Sequence, residues 1–193
     1  MQQILGPLVQ ESIRSPATAA RRVLDLGLPR DVLWTALALA AIINTFLVLL
    51  IIEMSSTPMP LPGYFDRPLA LFVLIAGLTV VYVHAMFWSG KAIGGNGTLT
   101  DILAVVVWFQ VLRAMAQVCV ILVSLALPGL GALLSLVVAV WSFWIFMNFL
   151  ATALNLATPW HALAVLAVSF VGLILGLGIL TALIGGIAQG SIG

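Results

Sequence analysis

The chain has 193 residues, of which 63% are hydrophobic and 7% charged, with a formal net charge of +1. A soluble globular domain carries roughly 25% charged residues, so this chain lacks the polar side chains to cover a water-facing surface and must use lipid as its solvent. The near-zero net charge gives no case for nucleic acid, and a single cysteine, Cys119, excludes an intramolecular disulfide or a cysteine-built metal site.

The first thirty residues differ in kind from the rest. Arg14, Arg21, Arg22 and Arg30 all precede the first apolar run. Ser15-Pro16 reads as an N-cap followed by proline at the first helical position. From there Ala19, Val23 and Leu26 share one stripe, with Arg21, Arg22 and Asp25 away from it. Leu5, Leu8, Val9 and Ile13 have helical spacing too. The pattern predicts one or two short amphipathic helices over residues 1–30. They either lie on the cytoplasmic membrane surface, anchored by Arg14, Arg21 and Arg22, or pack on the spans; the two readings are compatible. The apolar run begins too late and runs too long for a cleaved signal peptide, so the first span is expected to be retained.

Residues 31–193 hold five runs long enough to cross the hydrocarbon core, which takes about 20 apolar residues. They are Val32 to Ile52, Leu69 to Trp88, Ile102 to Leu127, Gly131 to Ala151 and Leu163 to Ile187. Unpaired backbone groups are not tolerated in lipid, so each is predicted to be a helix. The fold class is therefore all-α: a polytopic bundle of five transmembrane helices behind amphipathic N-terminal helices. Thr57 to Gly63 carries three prolines at alternate positions and breaks the first run from the second. Pro128-Gly129 makes a short hairpin, and Pro159 suits the start of the fifth helix. The four N-terminal arginines predict a cytoplasmic N-terminus, and five crossings then leave the C-terminus outside. Trp34, Trp88 and Trp160 fall near span ends on the predicted cytoplasmic side, where an interfacial aromatic belt belongs.

Arg113 lies near the middle of the third run. Gln110 and Gln117 stand three residues before it and four after it, on one helix face, and Ser124 extends the stripe. That face is expected to point into the bundle or a wet cavity. No acid lies in any span core: Glu53 is at an outer end and Asp101 at an inner start. The arginine is either a structural group bonding neighbouring helices, or a site for a lipid phosphate or another anion; Asn44 and Asn148 are further candidate partners. In the fourth run Trp141, Trp144, Asn148, Thr152 and Asn155 form a second stripe, read as helix packing. Gly172 and Gly176 in the fifth run make a GxxxG pair, with Gly178, Ala182 and Gly186 on another face; both suit packing within the bundle, with a homodimer contact as the alternative. His84 and His161 are isolated, and no catalytic or metal-binding motif is readable, so no enzyme, cofactor or metal is expected.

Between the second and third runs lies Ile93-Gly94-Gly95-Asn96-Gly97-Thr98-Leu99-Thr100-Asp101. A phosphate loop needs a lysine and hydroxyl after its glycines, and Lys91 precedes these. The stretch is read as a turn, with Asn96-Gly97 supplying left-handed geometry and Thr98 with Asp101 forming a capping box. Thr100 is a rival N-cap. Exposed amides at this helix start are the alternative, as a contact for a lipid headgroup or a partner's carboxylate.

Tyr82-Val83-His84-Ala85, followed by Gly94-Gly95-Asn96-Gly97-Thr98-Leu99-Thr100-Asp101, resembles the signature of Yip-domain membrane proteins, the Ypt/Rab-interacting family and its bacterial branch. Arg14-Ser15-Pro16-Ala17 to Arg21-Arg22 resembles the short arginine and proline segment before the first span in bacterial members, and Trp160-His161-Ala162-Leu163 resembles the start of the last span. The resemblance implies a five-helix bundle, a role in membrane organisation and, for the bacterial branch, the cytoplasmic membrane. It implies no molecular mechanism. Eukaryotic relatives bind prenylated GTPases in vesicle traffic; this chain lacks their long acidic and polar N-terminal region.

The expected function is non-enzymatic: organising lipid, or recruiting and stabilising membrane partners. The expected partners are the bilayer, anionic headgroups, other membrane proteins or a second copy. A small anion or lipid transporter using the Gln110-Arg113-Gln117 face, as an oligomer, is the alternative. Candidate contacts are Arg113, Gln110, Gln117, His84, Gly94, Gly95, Asn96, Gly97 and Asp101.

Overall fold

A computed structural model describes the backbone of residues 2–54 and 67–190, and the side chains of residues 5–53 and 67–176. The proline run at 57–63, and the side chains of Gly178, Ala182 and Gly186, lie outside the described residues. All regular structure among the described residues is helical. Two short helices, α1 (Gln2–Arg14) and α2 (Pro16–Asp25), precede five long ones: α3 (Arg30–Met54), α4 (Pro68–Ala92), α5 (Leu99–Ala126), α6 (Pro128–Ala153) and α7 (Pro159–Gly190). The five long helices are long and apolar enough to cross a membrane. Each matches the run expected of it to within a few residues at either end; α5 stops at Ala126, one residue short of the expected Leu127.

Each helix start has a local cause. Proline opens α2, α4, α6 and α7, where its missing N–H is already an orphan. Ser15 occupies the N-cap of α2, but its side chain makes no capping bond; its carbonyl instead accepts from the Thr18 and Ala19 amides. Thr98 caps α5.

The long helices form a closed ring in the order α3, α5, α6, α7, α4, with α4 also touching α5. The α5–α6 hairpin is tight because Gly131 sits against Ser124, where a Cβ would overlap the serine side chain. Ser124 therefore packs in this hairpin instead of extending the Arg113 stripe.

The core gathers at the end of the bundle beneath α2. Ala19, Ala20 and Val23 of α2 pack against α5 and α6, as the packed reading of the N-terminal helices requires. Leu26 lies outside that stripe and is half exposed. Residues 102–108 of α5 are all buried, because α2, α3, α4 and α6 surround this stretch. A polar bond fixes α1 to the same core: the Trp108 indole N–H donates to the Ser12 hydroxyl at 3.0 Å, and that hydroxyl donates to the Leu8 carbonyl at 2.8 Å. Buried groups of this kind must be paired.

Candidate functional site

The glycine loop is a docking element between two helix ends. Helix α4 ends at Ala92 with Ile93 as its C-cap, and Gly94 follows with a φ of +94°. The Gly94 amide donates to the Lys91 carbonyl and the Gly95 amide to the Gly90 carbonyl, at 3.1 and 2.8 Å. This pair of bonds is a Schellman motif, which satisfies the last carbonyls of a helix. Helix α6 ends the same way. Asn155 has a φ of +53°, its amide donates to the Thr152 carbonyl, and the Leu156 amide donates to the Ala151 carbonyl.

The two motifs meet. The Asn96 amide donates to the Leu154 carbonyl at 2.9 Å, so the α4–α5 loop caps the end of α6. Gly97 rests directly on the Ala153 carbonyl, where a Cβ would overlap the oxygen. Gly95 is nearly as confined, with the Gly90 carbonyl 2.9 Å from a Cβ position. The left-handed turn expected at Asn96-Gly97 is thus corrected. Gly94 supplies that geometry, and Gly97 is required for close approach, because α6 presses its backbone onto the loop.

The capping box is present as read. The Asp101 amide donates to the Thr98 hydroxyl at 3.2 Å, and the Thr98 amide donates to the Asp101 carboxylate at 2.8 Å. Thr98, not Thr100, is the N-cap. The Thr98 and Asp101 amides are thus spent on structure.

The Arg113 stripe divides between a helix contact and open clefts. Gln110 bonds across to α3, accepting from the Asn44 amide at 3.2 Å. Arg113 is exposed, and Gln117 is partly buried. Neither bonds a polar group of another described residue. The reason lies in coverage: α2 shields only the first half of α5, and beyond Gln110 the helix surfaces at Val111, Arg113, Met115, Val118 and Cys119. Arg113 stands on a ridge between two clefts. One, of about 550 Å³, contains Tyr82, Gln110 and Phe146; the other, of about 420 Å³, contains Val9, Cys119 and Trp141.

His84 is removed from that ridge. Its Nδ1 lies 2.8 Å from the Val80 carbonyl, and its ring stacks on Trp34. It lines an apolar groove of about 800 Å³ between α4 and α7, together with Gly172 and Gly176. A Cβ on either glycine would meet nothing within 4 Å. Among the described residues nothing packs closely on this GxxxG pair, so the packing expected of it within the bundle is not seen there.

The N-terminal arginines separate as well. Arg14, Arg21 and Arg22 are all exposed. Arg22 bonds Glu11 at 3.1 Å, tying α2 to α1. Arg21 instead faces a cleft of about 540 Å³ shared by α2, the end of α6 and the α6–α7 loop. Asn148, Thr152 and Asn155 of the second stripe line it. These three share one helix face, as their spacing implies, and that face opens on the cleft opposite Arg21 and Asp25 of α2. Trp141 and Trp144 of the same stripe are exposed, not packed within the bundle. Among the described residues, no group of three His, Cys, Asp or Glu side chains could hold a metal.

Five long apolar helices closed in a ring, with paired helix ends locked by one glycine loop, define a polytopic helical membrane protein. The Yip1 domain family matches residues 11–184, and the chain belongs to that family. No curated protein and no solved structure matches it.

Proposed function

We propose that the protein is a non-enzymatic membrane scaffold that binds other membrane helices laterally, with Arg113 as its contact. The carrying observation is the exposure of Arg113 without a polar partner among the described residues. It is the fifteenth residue of a 28-residue helix about 42 Å long, against a hydrocarbon core of about 30 Å. A charge at that depth costs about 2.5–3.5 kcal/mol on the insertion scale, a cost that a facing carboxylate offsets. A second copy of the chain cannot supply the carboxylate at this depth, since the span cores hold no acid. The partner is therefore a different helix with a mid-membrane Asp or Glu. In this reading α1 and α2 face the cytoplasm of a bacterial cell, as the N-terminal arginines favour.

The test uses the single cysteine. Cys119 lines the same cleft as Arg113 and takes a fluorophore. In liposomes, a labelled oligoleucine helix with a central Asp is expected to transfer energy to Cys119 at least fivefold more than one with a central Asn. Arg113→Gln is expected to remove the difference. Equal transfer from both helices sinks the proposal. Anion flux through proteoliposomes that is lost in Arg113→Ala favours the transporter reading instead.

A further inference from the structure

We infer that the cleft between α2 and the α6–α7 junction is a headgroup site for a membrane aminophospholipid, one bearing a phosphate and a primary ammonium. Three observations carry this. First, the cleft presents both signs of charge without internal neutralisation. Arg21 and Asp25 both line it, one helical turn apart on α2, and no ion pair joins them. Second, Asn148 is 8% exposed and lines the same cleft. Its side-chain N–H donates to the Trp144 carbonyl at 2.8 Å, while its Oδ1 has no partner among the described residues. Among the described residues no side-chain polar atom is both buried and unpaired, so this oxygen is accessible from the cleft, where a primary ammonium can donate to it. Third, the cleft lies at headgroup depth. Helix α6 ends at Ala153 and α7 begins at Pro159, so the loop between them marks where the chain turns at the bilayer surface. Trp160, 68% exposed on the first turn of α7, is the aromatic residue expected at that level.

The charges set the orientation of the ligand. The phosphate pairs with the Arg21 guanidinium, which binds it with two parallel N–H donors. The ammonium meets Asp25 and the Asn148 Oδ1. A trimethylammonium headgroup has no N–H to donate, and a glycerol headgroup has no cation. The site lies apart from Arg113, and its occupancy does not depend on that residue.

Delipidated protein titrated with dioleoyl phosphatidylethanolamine, phosphatidylglycerol or phosphatidylcholine, with bound lipid counted by native mass spectrometry, tests this. Phosphatidylethanolamine is expected to be retained about tenfold more than either other lipid. Arg21→Gln is expected to lower retention of phosphatidylethanolamine and phosphatidylglycerol alike, and Asp25→Asn that of phosphatidylethanolamine alone. Both side chains are exposed, and an unchanged thermal midpoint verifies that the variants fold. Equal retention of phosphatidylethanolamine and phosphatidylcholine overturns the inference, as does tighter binding of phosphatidylglycerol. Soluble glycerophosphoethanolamine is expected not to displace the lipid at millimolar concentration; displacement overturns the bilayer as the source.

Discussion

Replacing Gly97 by alanine adds one methyl group where the fold leaves no room. The new Cβ would overlap the Ala153 carbonyl oxygen, with the Ala153 carbonyl carbon and the Leu154 Cα each 2.9 Å away. These are backbone atoms, so no rotamer change relieves the overlap. Either the loop or the end of α6 must withdraw. Withdrawal breaks the Asn96 amide bond to the Leu154 carbonyl, a net loss of about 0.5–1.5 kcal/mol. Overpacking adds typically 1–3 kcal/mol. A total of about 3 kcal/mol corresponds to roughly a 150-fold change in the ratio of folded to unfolded protein. The control is Gly129→Ala in the first turn of α6, where a Cβ meets nothing within 4 Å. Helix propensity there favours alanine by up to about 1 kcal/mol. Heating the detergent-purified variants and measuring the monodisperse fraction by size exclusion ranks them. Gly97→Ala should lose its peak well below the wild type, and Gly129→Ala at or above it. A Gly97→Ala midpoint equal to wild type would refute the steric argument.

Thr98→Ala removes the N-cap acceptor of α5 and leaves Asp101 to cap alone; the expected loss is about 1 kcal/mol in the same assay. Trp108→Phe keeps an aromatic ring, though a smaller one, and deletes the donor to Ser12. The expected cost is about 1 kcal/mol, with faster proteolytic release of α1, and equal protease resistance in both proteins would contradict the proposed tie.

The legible parts of this structure are those with a local cause. Lipid forces every apolar run of sufficient length into a helix, so five spans could be counted from composition. The Thr98–Asp101 box reads directly because both partners lie within one turn. Three features escaped because their causes are distant. Three glycines within four residues permit a left-handed residue at any of them, and only the approach of α6 gives Gly97 a packing role instead. Helical periodicity groups Gln110, Arg113 and Gln117 correctly, but the direction of that face depends on how far α2 reaches along α5. The bond between Ser12 and Trp108 spans most of the N-terminal half of the chain, and no periodic pattern announces it.

The bond from the Asn96 amide to the Leu154 carbonyl also orders biogenesis in time. The α4–α5 hairpin is synthesised and can enter the membrane before its capping partner exists. The carbonyl that completes the loop emerges about 60 residues later, roughly 3–12 s at common rates of synthesis. Until then the glycine loop has an unpaired amide and an uncovered seat. A chain arrested before α6 would display that seat to the quality-control machinery, and a chain that has inserted its fourth span would hide it.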